Sequence, residues 1–180
     1  MSSSFIGNIK IVLDETDVDE LGVPIENAIR VQNNKYHLMP GYTYVKDPVI
    51  TVKAGSSDSY IRLLVTINKI EELKKIFGND FKLEMLVNGW NKEIWKSVDV
   101  IDNKDNSNTY EFRYYKIVNG FENDKNVDKK LESLFESFTI PKNINGTQLE
   151  SIKDLEMVIV GQAIQIQGFD SEDTAWKSFD

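Results

Sequence analysis

Residues 155–169, LEMVIVGQAIQIQGF, run directly into residues 171–179, SEDTAWKSF. The first stretch is apolar on both faces at its start and alternates Ile and Gln toward its end, which predicts a strand from Leu155 to about Gln167, central in a sheet before it becomes half exposed. A short amphipathic helix is predicted to begin just after Asp170. A chain that ends strand-then-helix and shows a period of two elsewhere is a β-protein with helices in its connections.

Working outward, that period recurs through most of the sequence. Phe5, Gly7, Ile9, Ile11 and Leu13 fall on one side of an extended segment and Asn8, Lys10 and Asp14 on the other, so residues 5–13 are expected to form the first strand, half buried. Pro40-Gly41 signals a turn, and Pro48 holds Asp47 extended before VITVKA. In SYIRLLVTI, Ile61, Leu63, Val65 and Ile67 alternate with Tyr60, Arg62 and Thr66, giving a further strand. Phe81, Leu83, Met85 and Val87 form another alternating set, and EIWKSVDVI and YEFRYYKIV are two strands separated by the polar loop DNKDNSN.

Helical spacing enters in three places. Ile70, Leu73, Ile76 and Phe77 share a face, with Asn68 placed to cap the start and Gly78 to end the helix. Thr147 and Glu150 have capping-box spacing for a short helix, TQLESIKD. NVDKKLESLFESF fits a helix through Val127, Leu131, Leu134, Phe135 and Phe138, while SFTIP reads as a strand end, and both readings stay open. Seven or eight short strands with only short helices predict a mainly β fold, an antiparallel β-sandwich of jelly-roll type with short flanking helices. Residues 1–180 are expected to be a single domain.

Composition agrees with a folded domain: 41% hydrophobic and 28% charged residues in 180, enough chain to bury roughly 70% of its extended surface. There is no cysteine, so no disulfide framework and no Cys-based metal or redox site. A formal net charge of -8 disfavours nucleic acid, whose phosphates need Lys and Arg. No apolar run approaches a membrane span, and the sequence shows no positively charged region followed by an apolar one; a signal peptide is expected to have been removed ahead of Met1. Met1-Ser2-Ser3-Ser4 reads as an appended or truncated start.

Catalytic signatures are missing. His37 is the only histidine, which rules out a His pair or an HExxH zinc helix, and it reads as a loop or strand-edge residue. Asp102, Asp105 and Asn108 offer oxygens to a calcium ion but lack EF-hand spacing, so DNKDNSN reads as a solvated hairpin loop. Asp14, Glu15, Asp17, Asp19 and Glu20 read as a solvated acidic face with weak cation affinity as the other option. Trp90, Trp95, Tyr110, Tyr114 and Tyr115 either stack carbohydrate or pack the core, the second being the simpler account. No catalytic residue, metal ligand or cofactor is expected. One covalent option suits a cysteine-free extracellular sandwich: attack of a Lys amine on an Asn side-chain amide, aided by a buried Asp or Glu. Lys10, on the polar side of the first strand, is the amine considered, and no particular Asn is selected by the sequence.

Four blocks carry a resemblance: FIGNIKIVLDE at 5–15, MPGYTYVKDPVITVKAGSSDSYIRLLVTI at 39–67, LFESFTIP at 134–141 and AIQIQGFDSEDTAW at 163–176. In order and spacing they resemble the TasA/camelysin-like family of exported biofilm matrix proteins of Gram-positive bacteria. The resemblance spans nearly the whole chain and is loosest from about 88 to 127. It implies a secreted jelly-roll subunit, extracellular or at the cell surface, that polymerises with copies of itself. Other matrix proteins or polysaccharide are further candidate partners, with no nucleic acid and no membrane span. Coupling in such a family is similar to donor-strand complementation, an N-terminal segment of one subunit filling a gap in the sheet of the next. The donor residues implied here are Phe5, Ile6, Ile9, Lys10, Ile11 and Leu13, with a Lys–Asn isopeptide lock as an added option. The camelysin name also carries a metallopeptidase activity, which a single His does not support. A surface carbohydrate-binding module is the remaining rival.

Overall fold

The computed structural model describes residues 1–180. Fourteen strands and three helices follow one another. In chain order the first strands are β1 (Ser2–Ile6), β2 (Ile11–Thr16), β3 (Arg30–Val31), β4 (Thr43–Val45), β5 (Val49–Val52) and β6 (Ser59–Ile67), followed by helix α1 (Ile70–Phe77). Next come β7 (Val87–Asn88), β8 (Trp95–Asp102), β9 (Asn108–Tyr114), β10 (Phe121–Glu122), β11 (Lys125–Asn126), β12 (Lys129–Lys130) and β13 (Ser137–Thr139). Helix α2 (Gly146–Ser151), β14 (Met157–Gln165) and α3 (Glu172–Phe179) close the chain.

The main sheet has the order β1-β14-β6-β9-β8, and facing it are a sheet ordered β12-β5-β2-β3 and a smaller one ordered β4-β13-β7. Strand alternation explains why. Ile61, Leu63, Val65 and Ile67 of β6 point inward and are completely buried, each worth roughly 1.5–3 kcal/mol of apolar transfer. Opposite them stand Ile11 and Leu13 of β2 and Ile50 and Val52 of β5, within one continuous cluster of buried side chains. The layers meet closely at Gly161 of β14, where a Cβ would lie 3.0 Å from Ile50 Cδ1 and 3.5 Å from Ile11 Cδ1. Neighbouring strands come from distant parts of the sequence, such as β14 beside β6 and β2 beside β5. The chain therefore forms the expected mainly β, antiparallel sandwich with short flanking helices.

β14 pairs with β6 along its whole length, from Met157 opposite Ile67 to Gln165 opposite Ser59. Its burial on two faces falls at the opposite end from the one expected. Val158, near the start, is exposed on the outer face, whereas Ile164 is covered by Ala175 and Trp176 of α3. The eight-residue helix is too short to reach further along the strand. Ser171 caps α3 by accepting from Thr174 N–H, and Glu172 and Asp173 in the first turn favour its dipole. The Arg62 guanidinium lies 4.3 Å from the centre of the Trp176 ring and donates to Gln162 Oε1 and Asp180 Oδ1, fastening the helix to the sheet.

Several local expectations are corrected. Residues 5–13 are two strands in different sheets, because Gly7 at φ +100° turns the chain between β1 and β2. Ser2–Ser4 extend that first strand ahead of Phe5, pairing within β1. Helix α1 begins after Lys69, and Asn68 instead bridges Asp154 and Glu156; the cap is supplied from across the fold, Asn106 Oδ1 accepting from Glu71 N–H. The box on α2 is Asn145 with Gln148, two residues ahead of the expected pair. Between 81 and 87 a 3-10 turn at Leu83–Met85 replaces a strand, so Leu83 and Leu86 are buried and Met85 is exposed. NVDKKLESLFESF is not helical: β12 and β13 lie at its ends, and Leu131, Leu134, Phe135 and Phe138 are core residues.

Candidate assembly edge and adjoining cleft

β1 is unlike every other strand of the main sheet. It is the one parallel partner, Ser2 to Ile6 lying opposite Val160 to Ile164 of β14, and all five of its residues are exposed. Phe5 and Ile6 remain 43% and 47% accessible, so the strand is held mainly by its backbone ladder, with the Ser3 hydroxyl donating to Ile11 O and the Met1 amine, just ahead of it, donating to Gln32 O and Asn33 Oδ1. Gly7 then makes the exit turn. A side chain there would meet Gln165 at 2.5 Å, and φ +100° disfavours any L-residue. Just beyond, the chain is pinned: Asn8 N–H donates to Gln165 Oε1, Lys10 N–H donates to Ser56 Oγ, and Ile9 is buried.

The six expected donor residues therefore divide. Phe5 and Ile6 sit on the peripheral strand, and Lys10 is exposed at the turn into β2. Ile9, Ile11 and Leu13 belong to this chain's own core and cannot leave it without breaking the sandwich.

β1 covers β14 only from Val160 onward, leaving Met157–Ile159 paired on the β6 side alone. Beside this uncovered stretch opens a cleft of about 670 Å³, with Met157 and Val158 on one wall and Glu15, Asn34, Tyr36 and Lys46 on the other. That second wall is a polar network buried in an apolar setting. Glu15 is fully buried, although the acidic run 14–20 was read as a solvated face, because Ile11, Leu13 and Glu15 all point inward from β2. Its Oε1 accepts from Lys46 Nζ at 2.9 Å, and its Oε2 accepts from Asn34 Nδ2 at 2.8 Å and from the Tyr36 hydroxyl at 3.1 Å. Asn34 is held at its other atoms too, Nδ2 donating to Thr16 O and Oδ1 accepting from Val18 N–H at 3.0 Å. Burial, and then the adjacent Glu15 carboxylate, push the Tyr36 hydroxyl far above the ordinary tyrosine range, so it serves as a donor. The Tyr36 ring meets Phe138 and Tyr44 edge-on, walling the network with aromatic surface.

At the rim of the same layer, Arg30 donates to Asp14 and Asp47, and Asp47 also accepts from the Thr16 N–H and hydroxyl. Burial raises the Asp47 pKa, but these donors outweigh it and hold the carboxyl below its usual value.

The other flagged residues are placed as follows. His37 is exposed in a loop, its backbone N–H donating to Glu20 O. Asp102 accepts from Lys104 N–H and Asp105 from the Ser107 hydroxyl, so these carboxylates shape the turn. Trp95, Tyr110 and Tyr114 are buried and Trp90 partly so, leaving Tyr115 as the exposed ring of that set. No three His, Cys, Asp or Glu side chains converge as a metal-binding group. No helix is long and apolar enough to cross a membrane.

Asn34, Tyr36 and Lys46 were not singled out by the sequence, since 32–46 carries no periodicity. One signal was available: a carboxylate at the third inward position of an Ile-x-Leu-x-Glu strand requires buried partners. No family model, curated protein or solved structure matches this chain.

Proposed function

We propose that this chain is the structural subunit of an extracellular fibre in a biofilm matrix, of the TasA/camelysin-like kind, coupling to copies of itself through the β14 edge. The observation that carries the reading is β1: an all-exposed strand, attached through a glycine turn, laid on an edge whose bonding row continues past it into a cleft. A strand retained mainly by backbone bonds is replaceable by the same strand of another copy, because the ladder it forms is identical. In this reading β1 closes its own sheet in the single subunit and bridges to the neighbouring β14 in the fibre. Phe5 and Ile6 then supply side chains that set register.

The test compares the intact chain with a variant lacking residues 1–6, by size-exclusion light scattering across a concentration series. The intact chain should form species larger than a monomer and the variant should remain monomeric yet bind a labelled peptide of residues 1–9. Monomers in both samples with no peptide binding would refute strand exchange.

A further inference from the structure

A buried ion pair needs two charges, yet Glu15 holds three donors, and one is a primary amide. Its carboxylate binds the Lys46 amine on Oε1 and the Asn34 amide nitrogen on Oε2, so a single proton carrier bridges a nucleophile and a potential leaving group. The Asn34 carbonyl oxygen faces the Val18 N–H at 3.0 Å, a donor placed where negative charge would develop on attack at Cγ. Glu15 is 0% exposed and Lys46 6%, so little water competes with the amine. Asn34 and Lys46 nevertheless both border the cleft, which gives a small product a way out.

We propose that Lys46 and Asn34 become joined by an intramolecular isopeptide bond, with Glu15 as the proton shuttle. Lys46 Nζ gives a proton to the Glu15 carboxylate and its freed electron pair attacks Asn34 Cγ, moving charge onto Oδ1. Collapse of that intermediate breaks the Cγ–Nδ2 bond, and Nδ2 leaves with a proton returned by Glu15. The second proton lost from Nζ departs with it, so the balance is one Nζ–Cγ bond formed, one Cγ–Nδ2 bond broken and one ammonium released. Glu15 ends as it began, and no oxidant or external reactant is consumed. Tyr36 is a positioning residue, its hydroxyl fixing the Oε2 end of the carboxylate. The cross-link ties the β3–β4 connection to the end of β4 within one chain, so it goes beyond the fibre reading and does not depend on it. Lys10 has no part in it: it is exposed and its Nζ reaches no carboxylate.

Intact-mass measurement of the purified, denatured chain tests this. The expected mass is the sequence mass less one ammonia, and proteolysis should yield a branched peptide joining the segments that contain Asn34 and Lys46. Glu15→Gln and Lys46→Arg should each restore the full sequence mass. The wild-type protein alone decides the matter even where a variant fails to fold. A full sequence mass would mean that the three groups form only a buried hydrogen-bonded cluster. An ammonia deficit without the branched peptide would mean an internal succinimide, and either result overturns the proposal.

Discussion

At Glu15 the usual trade in a β-strand is reversed: an inward position that would ordinarily take a Val or Leu carries a carboxylate, and residues 32–46, the β3–β4 connection and β4 itself, are shaped to satisfy it. Such a group is tolerated because every lone pair that faces the interior meets a donor, and no buried polar side-chain atom in the protein lacks a partner. Lys46→Arg keeps the positive charge but offers no primary amine for a stable amide link. Urea unfolding should show it less stable than the wild type by about 3 kcal/mol, the scale expected when a cross-link closing a loop of this length is lost. At the rim, Asp47 behaves oppositely to a buried acid. Its folded pKa lies below the unfolded 3.8, so the unfolded chain takes up the proton first. The stability it contributes is therefore complete above about pH 4 and is lost as pH falls through the lower folded value. Denaturation of wild type and Asp47→Asn across acid pH should show a gap between them that closes on acidification, and a constant gap would contradict the assignment. Neither network was legible in the sequence, because the partners come from separate segments, Asn34, Tyr36 and Lys46 for Glu15 and Thr16 and Arg30 for Asp47, and no pattern marks them.

Elements divide into those that announce themselves and those assembled by their neighbours. β6 and α3 were legible: the first is a run of inward aliphatics, and the second has Ser171 as its cap and Trp176 on its buried side. Trp176→Ala should cost about 3–5 kcal/mol by chemical denaturation, since it removes the ring that covers Ile164 and carries Arg62. The start of α1 was not legible, because its cap is Asn106, from the β8–β9 loop, while the adjacent Asn68 serves another turn. β1 was misread for a related reason. Alternation runs unbroken from Phe5 to Leu13, and only the backbone at Gly7, at φ +100°, reveals that the chain changes sheets. Gly7→Val forces a β-branched residue into that conformation, at a cost of about 1–3 kcal/mol. Hydrogen exchange should speed at the β1 amides and stay unchanged in β6 and β9, because β1 contributes almost nothing to the core. Equal acceleration across the main sheet would mean that β1 is an integral strand and not an exchangeable one.

For the whole molecule, the sandwich was legible because inward alternation repeats in strands far apart in sequence, whereas the edge at which copies would couple was not, since strand order is invisible to periodicity. Charge decides how that coupling responds to solution conditions. Each subunit carries a formal net charge of -8, so two approaching copies repel through their overall fields. The bonds that would join them, a backbone ladder on β14 with Phe5 and Ile6 beside it, are neutral and only weakly sensitive to salt. The exposed charges of the cleft next to that edge are Lys35 and Lys153 beside Asp154 and Glu156, and a coupling built on those side chains meeting opposite charges would weaken as ions screen it. The two cases therefore differ in sign. With a screening length of about 10 Å at 0.1 M ionic strength, strand coupling should go faster and further as salt is raised from a low-ionic-strength buffer. Light scattering of the intact chain at fixed concentration reads this directly. Growth that increases with sodium chloride supports backbone coupling against net repulsion, and growth that falls with sodium chloride would assign assembly to charge pairing at the cleft.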